Sequence, residues 1–439
     1  MRRLILLFGM IAVASAQTER ADYPGPTILS RGLGTVLQGG GDLLRLRPYL
    51  SLTGNYDTGL TPVSTDATGR APDDAAYGGQ LGLGLVGYHN WRRTVLGIDY
   101  RGAIRHYPKY EYYDGSDHSL TLGVSHRPTR RLEFTLREAV GSYSRSNGIG
   151  SSQLFFDPAY ANVPANELFD GRTTYLSTMG DLTFNQSPRL SFNIGGTGWV
   201  VRRRSSALVG VTGWSTRGDM SYRLSRTVAI GADYGFSHHE YTQGFGASDI
   251  HSTAFDLALR LGRYWDLGIR GGGSRIETLG LRRVTVDPIV AAIIGRTAGV
   301  EVLHHVNYIP AGEVKLSRVF RRSSFSARYL TGADPGNGFY LTSRSQSASA
   351  DYSYTAFRRW NFGIRAGYDT YSALTETMSK YLSYTGGGGF TCQVKSWFHI
   401  IGRYDARRYN VSGASFRRLQ HSASLGVAFS PGEFPLSLW

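Results

Sequence analysis

Residues 357–368 read Phe357-Arg358-Arg359-Trp360-Asn361-Phe362-Gly363-Ile364-Arg365-Ala366-Gly367-Tyr368, a basic tight turn followed at once by a strand pattern. From Trp360 onward the even-numbered positions are apolar, whereas the odd-numbered positions are small or polar. Because successive side chains of a strand point to opposite faces, this alternation gives the strand one apolar face and one polar face.

The same pattern recurs along the chain, and its further copies begin at Trp91, Thr129, Ser187, Ser225, Gly262, Phe320 and Lys395. A hairpin unit repeated this often, with an apolar face each time, needs a large apolar partner. That partner is either a protein core or a lipid bilayer.

The N-terminal residues indicate export. Met1-Arg2-Arg3 is basic, Leu4 to Val13 is apolar, and Ala14-Ser15-Ala16 is a run of small residues. This order predicts a cleavable signal peptide over residues 1–16. The apolar run is well short of the ~20 residues that a spanning helix needs. Residues 17–43 are rich in Gly, Pro and polar residues, and we expect either a periplasmic segment or a plug folded back into the lumen.

Composition favours a membrane barrel over several soluble domains. The 439 residues include 56 Gly, 28 Tyr and 20 Phe, and the formal net charge is +15. Aromatic enrichment with period-2 patterning is typical of barrels, whose Tyr and Trp side chains lie at the two lipid–water boundaries. The single cysteine, Cys392, excludes an intramolecular disulfide and is interpreted as a small strand residue.

The pattern predicts an all-β fold, a transmembrane antiparallel up-and-down β-barrel over residues 44–430, followed by a C-terminal tail at 431–439. We expect about 18 strands, with about 16 as the alternative, because the strand at 207–223 loses its alternation around Gly213. The repeated basic turns are tight, whereas long connections are expected at 58–74, 145–171, 241–248 and 278–298. Short periplasmic turns and long extracellular loops are typical of outer-membrane barrels. Asp287–Gly295 carries helix start and stop signals and predicts a short loop helix.

The final strand carries a predicted assembly signal. Leu425, Val427 and Phe429 alternate on one face, and the chain ends in Trp439. Alternating apolar residues with a last aromatic resemble the signal that the outer-membrane barrel-assembly machinery recognises, with either Phe429 or Trp439 as that aromatic.

Several segments together resemble a family of uncharacterised Gram-negative outer-membrane β-barrel proteins. These segments are the repeated basic turns, Gly332–Gly338, Tyr404–Tyr409, Phe416-Arg417-Arg418 and Phe429–Glu433. More loosely, the chain is similar to porin-like barrels encoded with exopolysaccharide systems. The resemblance implies a barrel in the outer membrane and says little about its cargo.

Two sets of arginines need separate interpretations. Those at the turns are expected to anchor the barrel at the interface, with their stems along the apolar belt. Those on the inward register of their strands are Arg47, Arg101, Arg105, Arg260, Arg270, Arg365 and Arg403. Asp99, Asp256, Asp369 and Asp405 share that register. The charges form either a paired, hydrated network or a positive field that selects anionic solutes.

Catalysis is not predicted. The clusters His238-His239-Glu240 and His304-His305 each place neighbouring side chains on opposite faces of a strand, so neither pair chelates one metal simply. No recognised catalytic or phosphate-binding motif occurs in a suitable context. We expect no enzyme activity, no cofactor and no metal. The signal peptide and the dispersed basic turns also disfavour nucleic-acid binding.

The sequence therefore predicts an integral outer-membrane β-barrel in contact with lipid, acting as a porin-like passive channel for small hydrophilic solutes, anions among them. The alternative is a structural or polysaccharide-export barrel that works with periplasmic partners. A third and weaker alternative is a soluble secreted protein built from two packed sheets.

Overall fold

The computed structural model describes residues 45–58, 75–109, 114–143, 172–204, 209–242, 246–285, 298–320, 322–334, 342–357, 359–374, 380–411 and 417–430. These residues form one sheet of 18 strands. The strands are β1 Arg45–Thr58, β2 Ala75–Asn90, β3 Thr94–His106, β4 Gly115–His126, β5 Leu132–Tyr143, β6 Thr173–Asn185, β7 Leu190–Arg203, β8 Gly210–Arg223, β9 Val228–Thr242, β10 Gly246–Leu261, β11 Trp265–Thr285, β12 Ala298–Val319, β13 Ser323–Asp334, β14 Ser343–Phe357, β15 Trp360–Ala373, β16 Tyr381–Lys395, β17 Phe398–Val411 and β18 Arg417–Phe429.

The sheet closes on itself. Each strand pairs antiparallel with its neighbours in the chain, and β1 pairs with β18 from Leu50↔Phe429 to Asp57↔Ser422. Closure leaves no sheet edge whose backbone groups lack partners. The expected barrel is confirmed, and the strand that was doubtful around Gly213 is β8, which pairs with both β7 and β9. The alternative of two packed sheets is wrong, because the described strands form a single closed sheet.

The two ends of the barrel differ in their connections. At the short-turn rim, after even-numbered strands, the connections are residues 91–93, 127–131, 186–189, 224–227, 262–264, 320–322, 358–359 and 396–397. At the long-loop rim, after odd-numbered strands, they are residues 59–74, 107–114, 144–172, 204–209, 243–245, 286–297, 335–342, 374–380 and 412–416.

Serine hydroxyls build some of the short turns. Ser187 Oγ accepts hydrogen bonds from the backbone N–H groups of Arg189 (3.2 Å) and Leu190 (3.0 Å). Ser225 Oγ accepts the same kind of bond from Val228 N–H (3.1 Å). A Ser side chain that bonds to the backbone two or three residues later fixes a tight turn locally, so the repeated sequence specifies this rim.

The prediction of a long loop over Tyr241–Ser248 is wrong. Strand β9 continues to Thr242 and β10 begins at Gly246, which leaves a short connection. Strand β12 begins at Ala298, within one residue of the predicted Gly299, but β11 extends beyond its predicted end at Glu277 to Thr285. Ladder pairing continues there because two neighbouring strands can hydrogen-bond in water without an apolar face, and such strands have no hydrophobic alternation to reveal them.

The outward face carries the large apolar side chains along every strand. Phe255 is the clearest case, with 76% of its surface exposed. Other exposed members on the outward register include Leu52, Ile104, Ile194, Leu122, Leu182, Ile364 and Leu425. A continuous belt of exposed apolar side chains around a protein marks contact with another apolar phase. No helix in the described part of the chain is long and apolar enough to cross a bilayer.

The inward face is not polar throughout, contrary to the simple alternation that the sequence predicts. Ala139, Tyr175, Trp199 and Val201 point inward from β5, β6 and β7 and form a buried apolar cluster, with Tyr143 packed against it. The ring of Tyr143 stacks on Tyr175 with centroids 5.5 Å apart. These side chains cover one another in the half of the lumen wall nearer the long-loop rim.

Several predictions fall outside the described residues and stay predictions. They concern the signal peptide, residues 17–43, the helix at Asp287–Gly295, the tail at 431–439 and its Trp439.

The closing seam generates a stability prediction. A Cβ added to Gly426 would overlap the backbone of Leu52 and Thr53 on β1, whereas a Cβ on Gly180 would meet nothing within 4 Å. We expect Gly426→Ala to destabilise the barrel by about 1–3 kcal/mol, because an added methyl without space forces a backbone shift. Gly180→Ala is the matched control and should leave the urea unfolding midpoint of the refolded barrel unchanged. Equal midpoints for both variants would contradict the tight seam.

Candidate functional site

The candidate functional site is the lumen wall. All of the arginines predicted to face inward do so, because each shares its register with inward neighbours on the adjacent strand. Arg47 lies on β1 beside the buried Tyr49, and Arg101 and Arg105 lie on β3. Arg260 lies on β10 and Arg270 lies on the adjacent strand β11. Arg365 lies on β15 and Arg403 lies on β17.

Most of these guanidinium groups donate to a carboxylate of the wall. The pairs with their N–O distances are Arg101–Asp99 (2.6 Å), Arg260–Asp266 (3.1 Å), Arg270–Asp233 (2.5 Å) and Arg365–Asp405 (2.5 Å), together with the close pairs Arg105–Asp117 and Arg403–Asp405. The interpretation of the inward charges as a paired network therefore describes their geometry.

Among the inward residues whose side chains the structure describes, basic and acidic groups are nearly equal in number. Its cations are Arg47, Arg101, Arg105, Arg137, Arg203, Arg217, Arg223, Arg260, Arg270, Lys315, Arg328, Arg365, Arg403 and Arg407. Its carboxylates are Asp57, Asp99, Asp117, Glu133, Asp181, Asp219, Asp233, Asp256, Asp266, Glu301, Glu313, Asp334, Asp351, Asp369 and Asp405. Much of the chain's net positive charge therefore lies elsewhere, notably on exposed arginines of the short-turn rim.

In two ion pairs on one side of the lumen, the arginine is much more exposed than the carboxylate. Arg270 is 42% exposed while its partner Asp233 is 14% exposed. Arg217 is 46% exposed while its partner Asp181 is 16% exposed. The carboxylates lie against the wall and the guanidinium groups lie over them. The surface that β6 to β11 present to the lumen is therefore locally positive, although each arginine there has a paired carboxylate.

A glycine run makes room for the most connected carboxylate. Asp405 on β17 accepts hydrogen bonds from both Arg365 and Arg403. Its side chain lies across Gly387 of β16, where an added Cβ would overlap the carboxylate. The sequence predicts that the run from Gly386 to Gly389 permits a bend or a close approach. The structure shows the close approach, and what approaches is an inward side chain.

Two inward groups near the long-loop rim are fully withdrawn from solvent. Arg105 on β3 donates to Asp117 on β4, and both side chains are buried. The hydroxyl of the buried Tyr107 donates to Asp57 on β1 (2.6 Å). The first contact joins β3 to β4, and the second reaches from the end of β3 to β1 across β2, which has Gly78 where a side chain would collide with the Tyr107 ring.

One contact joins parts of the wall that lie several strands apart. The Tyr241 hydroxyl at the end of β9 lies 2.5 Å from the Thr342 hydroxyl, just before β14. Both side chains are buried, and so is the adjacent Ser343. Because β10 to β13 separate these two strands along the wall, the contact narrows the lumen at the long-loop rim.

Sequence reasoning missed several inward cations, and Arg217 is the most exposed of them among the ion pairs. It lies on β8, where Val211 points inward and Thr216 and Gly218 point outward. The strand therefore lacks the apolar alternation that reveals which face a residue occupies. The pairing of β8 with β7 and with β9 would have been needed to assign its register.

The clusters considered for catalysis are divided between the two faces, as the strand geometry predicts. His238 lies outward with Asp249 at 2.6 Å, whereas His239 lies inward and buried. His304 and His305 are divided in the same way on β12. Within the described residues, no group of three or more His, Cys, Asp or Glu side chains is placed to hold a metal ion. Cys392 lies on the outward register of β16.

The predicted assembly signal lies on the closing strand. Leu425, Val427 and Phe429 all occupy the outward register of β18. Phe429 pairs with Phe398 on β17 and stacks on Trp397, with ring centroids 5.9 Å apart. Recognition by the assembly machinery remains a prediction.

Comparison with known proteins finds no matching family model and no matching curated sequence. Solved structures of similar shape include Pseudomonas aeruginosa OccK2 (OpdF) in complex with glucuronate, at 9% identity and a TM-score of 0.41, with 88% of this chain and 98% of that chain covered. The outer membrane protein OpdK of P. aeruginosa has 12% identity and a TM-score of 0.42, with 88% of this chain and 99% of that chain covered. A BenF-like porin from Pseudomonas fluorescens has 10% identity and a TM-score of 0.43, with 89% of this chain and 100% of that chain covered. At this level the likeness adds no support of its own, and the barrel is established by its strand pairing.

The buried ion pair generates a second stability prediction. Arg105→Ala should destabilise the barrel by about 3–5 kcal/mol, because it leaves the Asp117 carboxylate buried without its cation. Arg101→Ala is the matched control, since its partner Asp99 is partly exposed and water can replace the guanidinium. The double change Arg105→Met/Asp117→Leu should restore much of the loss. Urea unfolding of the refolded barrel measures all three, and equal losses for the two alanine variants would refute the argument.

Proposed function

We propose that this protein is an integral outer-membrane β-barrel that acts as a porin-like passive channel for small hydrophilic solutes. The observation that carries the proposal is the closed barrel with an apolar outward belt and a charged inward wall. In hydrocarbon every backbone polar group must be satisfied within the protein, and a closed sheet meets that condition.

The belt has the height of a bilayer core. On β15 the outward register runs from Trp360 through Phe362 and Ile364 to Tyr368. At ~3.3 Å per residue and a tilt of ~40°, this stretch rises roughly 20 Å, close to the ~25 Å apolar band of outer-membrane barrels. Trp91, Tyr264, Trp360, Trp397 and Phe429 form one aromatic girdle at the short-turn rim. Tyr368 and Tyr384, directly opposite each other on β15 and β16, belong to the other girdle, at the end of the belt nearer the long-loop rim.

Connection length and charge support an orientation with the short-turn rim in the periplasm and the long-loop rim outside. Exposed arginines at the short-turn rim lie beside the girdle. The turn residue Arg263 lies over the Tyr264 ring at 5.8 Å, and Arg318, near the end of β12, lies over the Phe320 ring at 3.9 Å. A guanidinium over an aromatic ring at a lipid boundary keeps its charge near the headgroups. These contacts favour interfacial anchoring as the role of the turn arginines.

Anionic solutes are the favoured class within this proposal. The supporting observation is the exposure of Arg217 and Arg270 over carboxylates that are themselves mostly covered. Exposed guanidinium groups present several donors and pair readily with carboxylate or phosphate.

A structural or polysaccharide-export barrel is the second candidate. The contact between Tyr241 and Thr342 favours it, because this contact narrows the lumen at the long-loop rim. Such a barrel would work with periplasmic partners, and its assembly would use the Leu425, Val427 and Phe429 face.

Conductance in planar bilayers separates these candidates. The refolded protein should give discrete current steps in KCl, whereas a closed scaffold gives none. Recovery in the outer-membrane fraction, with gel migration that changes on boiling, tests the location independently. A protein that fractionates with the outer membrane but never conducts would refute the channel and leave the barrel in place.

Charge reversal in the lumen tests the anion preference. Arg270→Glu should move the reversal potential in a KCl gradient toward cation selectivity. A unit charge a few ångströms from a hydrated ion contributes about 0.5–1 kcal/mol, so the permeability ratio should change by roughly threefold. Arg408→Glu makes the same charge change on the outward register and is the matched control. Equal shifts for both variants, or no shift for Arg270→Glu, would contradict a guanidinium-lined path.

A further inference from the structure

The outward surface of β3 to β7 contains a groove near the long-loop rim. The groove consists of a lower cavity of about 580 Å³ and an upper cavity of about 490 Å³, and Ser142 lines both. The lining side chains of the lower cavity that occupy the outward register lie on five successive strands. The groove therefore opens toward the surrounding phase and not into the lumen.

Strand register arranges the groove in three successive rows. The apolar row is Tyr100, Leu120, Val140, Leu176 and Val200, each directly opposite the next. The polar row above it is Gly102, His118, Ser142, Thr174 and Arg202. Above that lie Arg172 and Arg204, whose backbones are joined by a hydrogen bond of 2.9 Å. Each row is two residues from the next, which is roughly 5 Å along the barrel axis when the strands are tilted.

From the lowest row to the highest, the side chains change from apolar to polar to cationic. The parts of a lipid follow the same order, from acyl chain to phosphate headgroup. The apolar row lies near the end of the apolar belt that is closer to the long-loop rim. The Tyr100 hydroxyl and His118 Nδ1 satisfy each other at 3.0 Å at one end of it. Hydroxyl groups of Ser142 and Thr174 follow, and guanidinium groups lie above them.

Arg172, Arg202 and Arg204 form an arginine cluster that lacks an internal counter-charge. Arg172 precedes β6 and Arg204 follows β7, one residue beyond the paired Thr173 and Arg203. Like charges placed opposite each other at neighbouring strands are destabilising. Within the described residues, no carboxylate lies in ion-pair distance of the three. Asp114 lines the upper cavity, but it accepts hydrogen bonds from Tyr107 N–H (2.7 Å) and pairs with His106 Nδ1 at 2.6 Å. An external anion would remove the repulsion.

We propose that this groove binds a phosphorylated acyl glycolipid of the outer leaflet, of the lipid A type. Its acyl chain lies along the apolar row, and its phosphate accepts hydrogen bonds from the arginine cluster. Arginine pairs with phosphate through two parallel hydrogen bonds, and basic pockets beside apolar surface recognise lipid headgroups. The proposal rests on the outer-membrane location proposed above.

A second copy of this chain fits the groove less well. A two-fold interface places the same patch of both copies face to face. The arginine cluster would then approach its own copy in an apolar environment, where repulsion between unpaired charges is strongest. Charge complementarity therefore favours an anionic lipid.

Native mass spectrometry of the full chain, refolded in neutral detergent so that it starts free of lipid, tests the proposal. The probes are bisphosphorylated hexa-acyl lipid A and the same lipid without its phosphates. We expect one lipid A bound per barrel and at least tenfold weaker binding of the dephosphorylated form, because a hydrogen bond to a charged group contributes ~1.5–3 kcal/mol. Equal binding of the two lipids, or a protein dimer in place of a lipid adduct, would overturn the proposal.

Variants locate the site. Arg172→Ala/Arg202→Ala/Arg204→Ala should weaken lipid A binding at least tenfold, whereas Arg130→Ala/Arg131→Ala/Arg189→Ala at the short-turn rim should change it little. Leu176→Trp fills the apolar row and should also weaken binding. Equal loss in both triple variants would show attraction to positive charge in general and would refute the groove. Channel conductance is measured in parallel, so an unmodified barrel that conducts but binds no lipid A refutes this proposal alone.

Discussion

Every other feature of the barrel follows from the pairing of β1 with β18. A sheet of this size with an open edge would expose unpaired N–H and C=O groups to hydrocarbon, at a cost of several kcal/mol for each group. Closure satisfies them and at the same time fixes which face of every strand points inward. Gly426 contributes to the seam because its missing side chain lets β18 approach the backbone of β1. The belt, the lumen wall and the outer groove all depend on that fixed register.

The lumen wall shows how the inside of a barrel can hold many charges in paired form. Its guanidinium groups are paired with carboxylates, and Asp405 serves two of them across the space left by Gly387. Pairing lowers the free energy of the wall, but it does not make the surface neutral everywhere. Where the carboxylate lies beneath the arginine, as at Asp233 and Arg270, a passing solute meets the cation first. Exposure therefore predicts local selectivity better than a count of charges does.

The outward surface combines two requirements that differ with height. Between the aromatic girdles it must present apolar side chains to hydrocarbon, and from Trp360 to Tyr368 it does so without interruption. Above the upper girdle it meets headgroups, and there β6 and β7 carry the arginine cluster. The three rows of the groove lie across that boundary, so a single amphipathic molecule can contact all of them.

The class of fold could be read from the amino-acid sequence, because the alternation after each basic turn has the period of a strand and repeats along the whole chain. The register of Arg101, Arg365 and Arg403 could be read in the same way, since their strands have clear apolar faces. Where the alternation fails, as on β8, the sequence did not reveal Arg217. At the water-exposed end of β11 it did not reveal the strand limit, since no apolar face is required there. Only the folded barrel decides which side chains meet. Arg270 and Asp233 are in contact although β10 separates their strands, and Tyr241 and Thr342 are in contact although four strands separate them. Period-2 alternation specifies a face for each residue but carries no information on the stagger between strands. That stagger is set by closure of the barrel, and it is what turns separate side chains into ion pairs, a constriction and a groove.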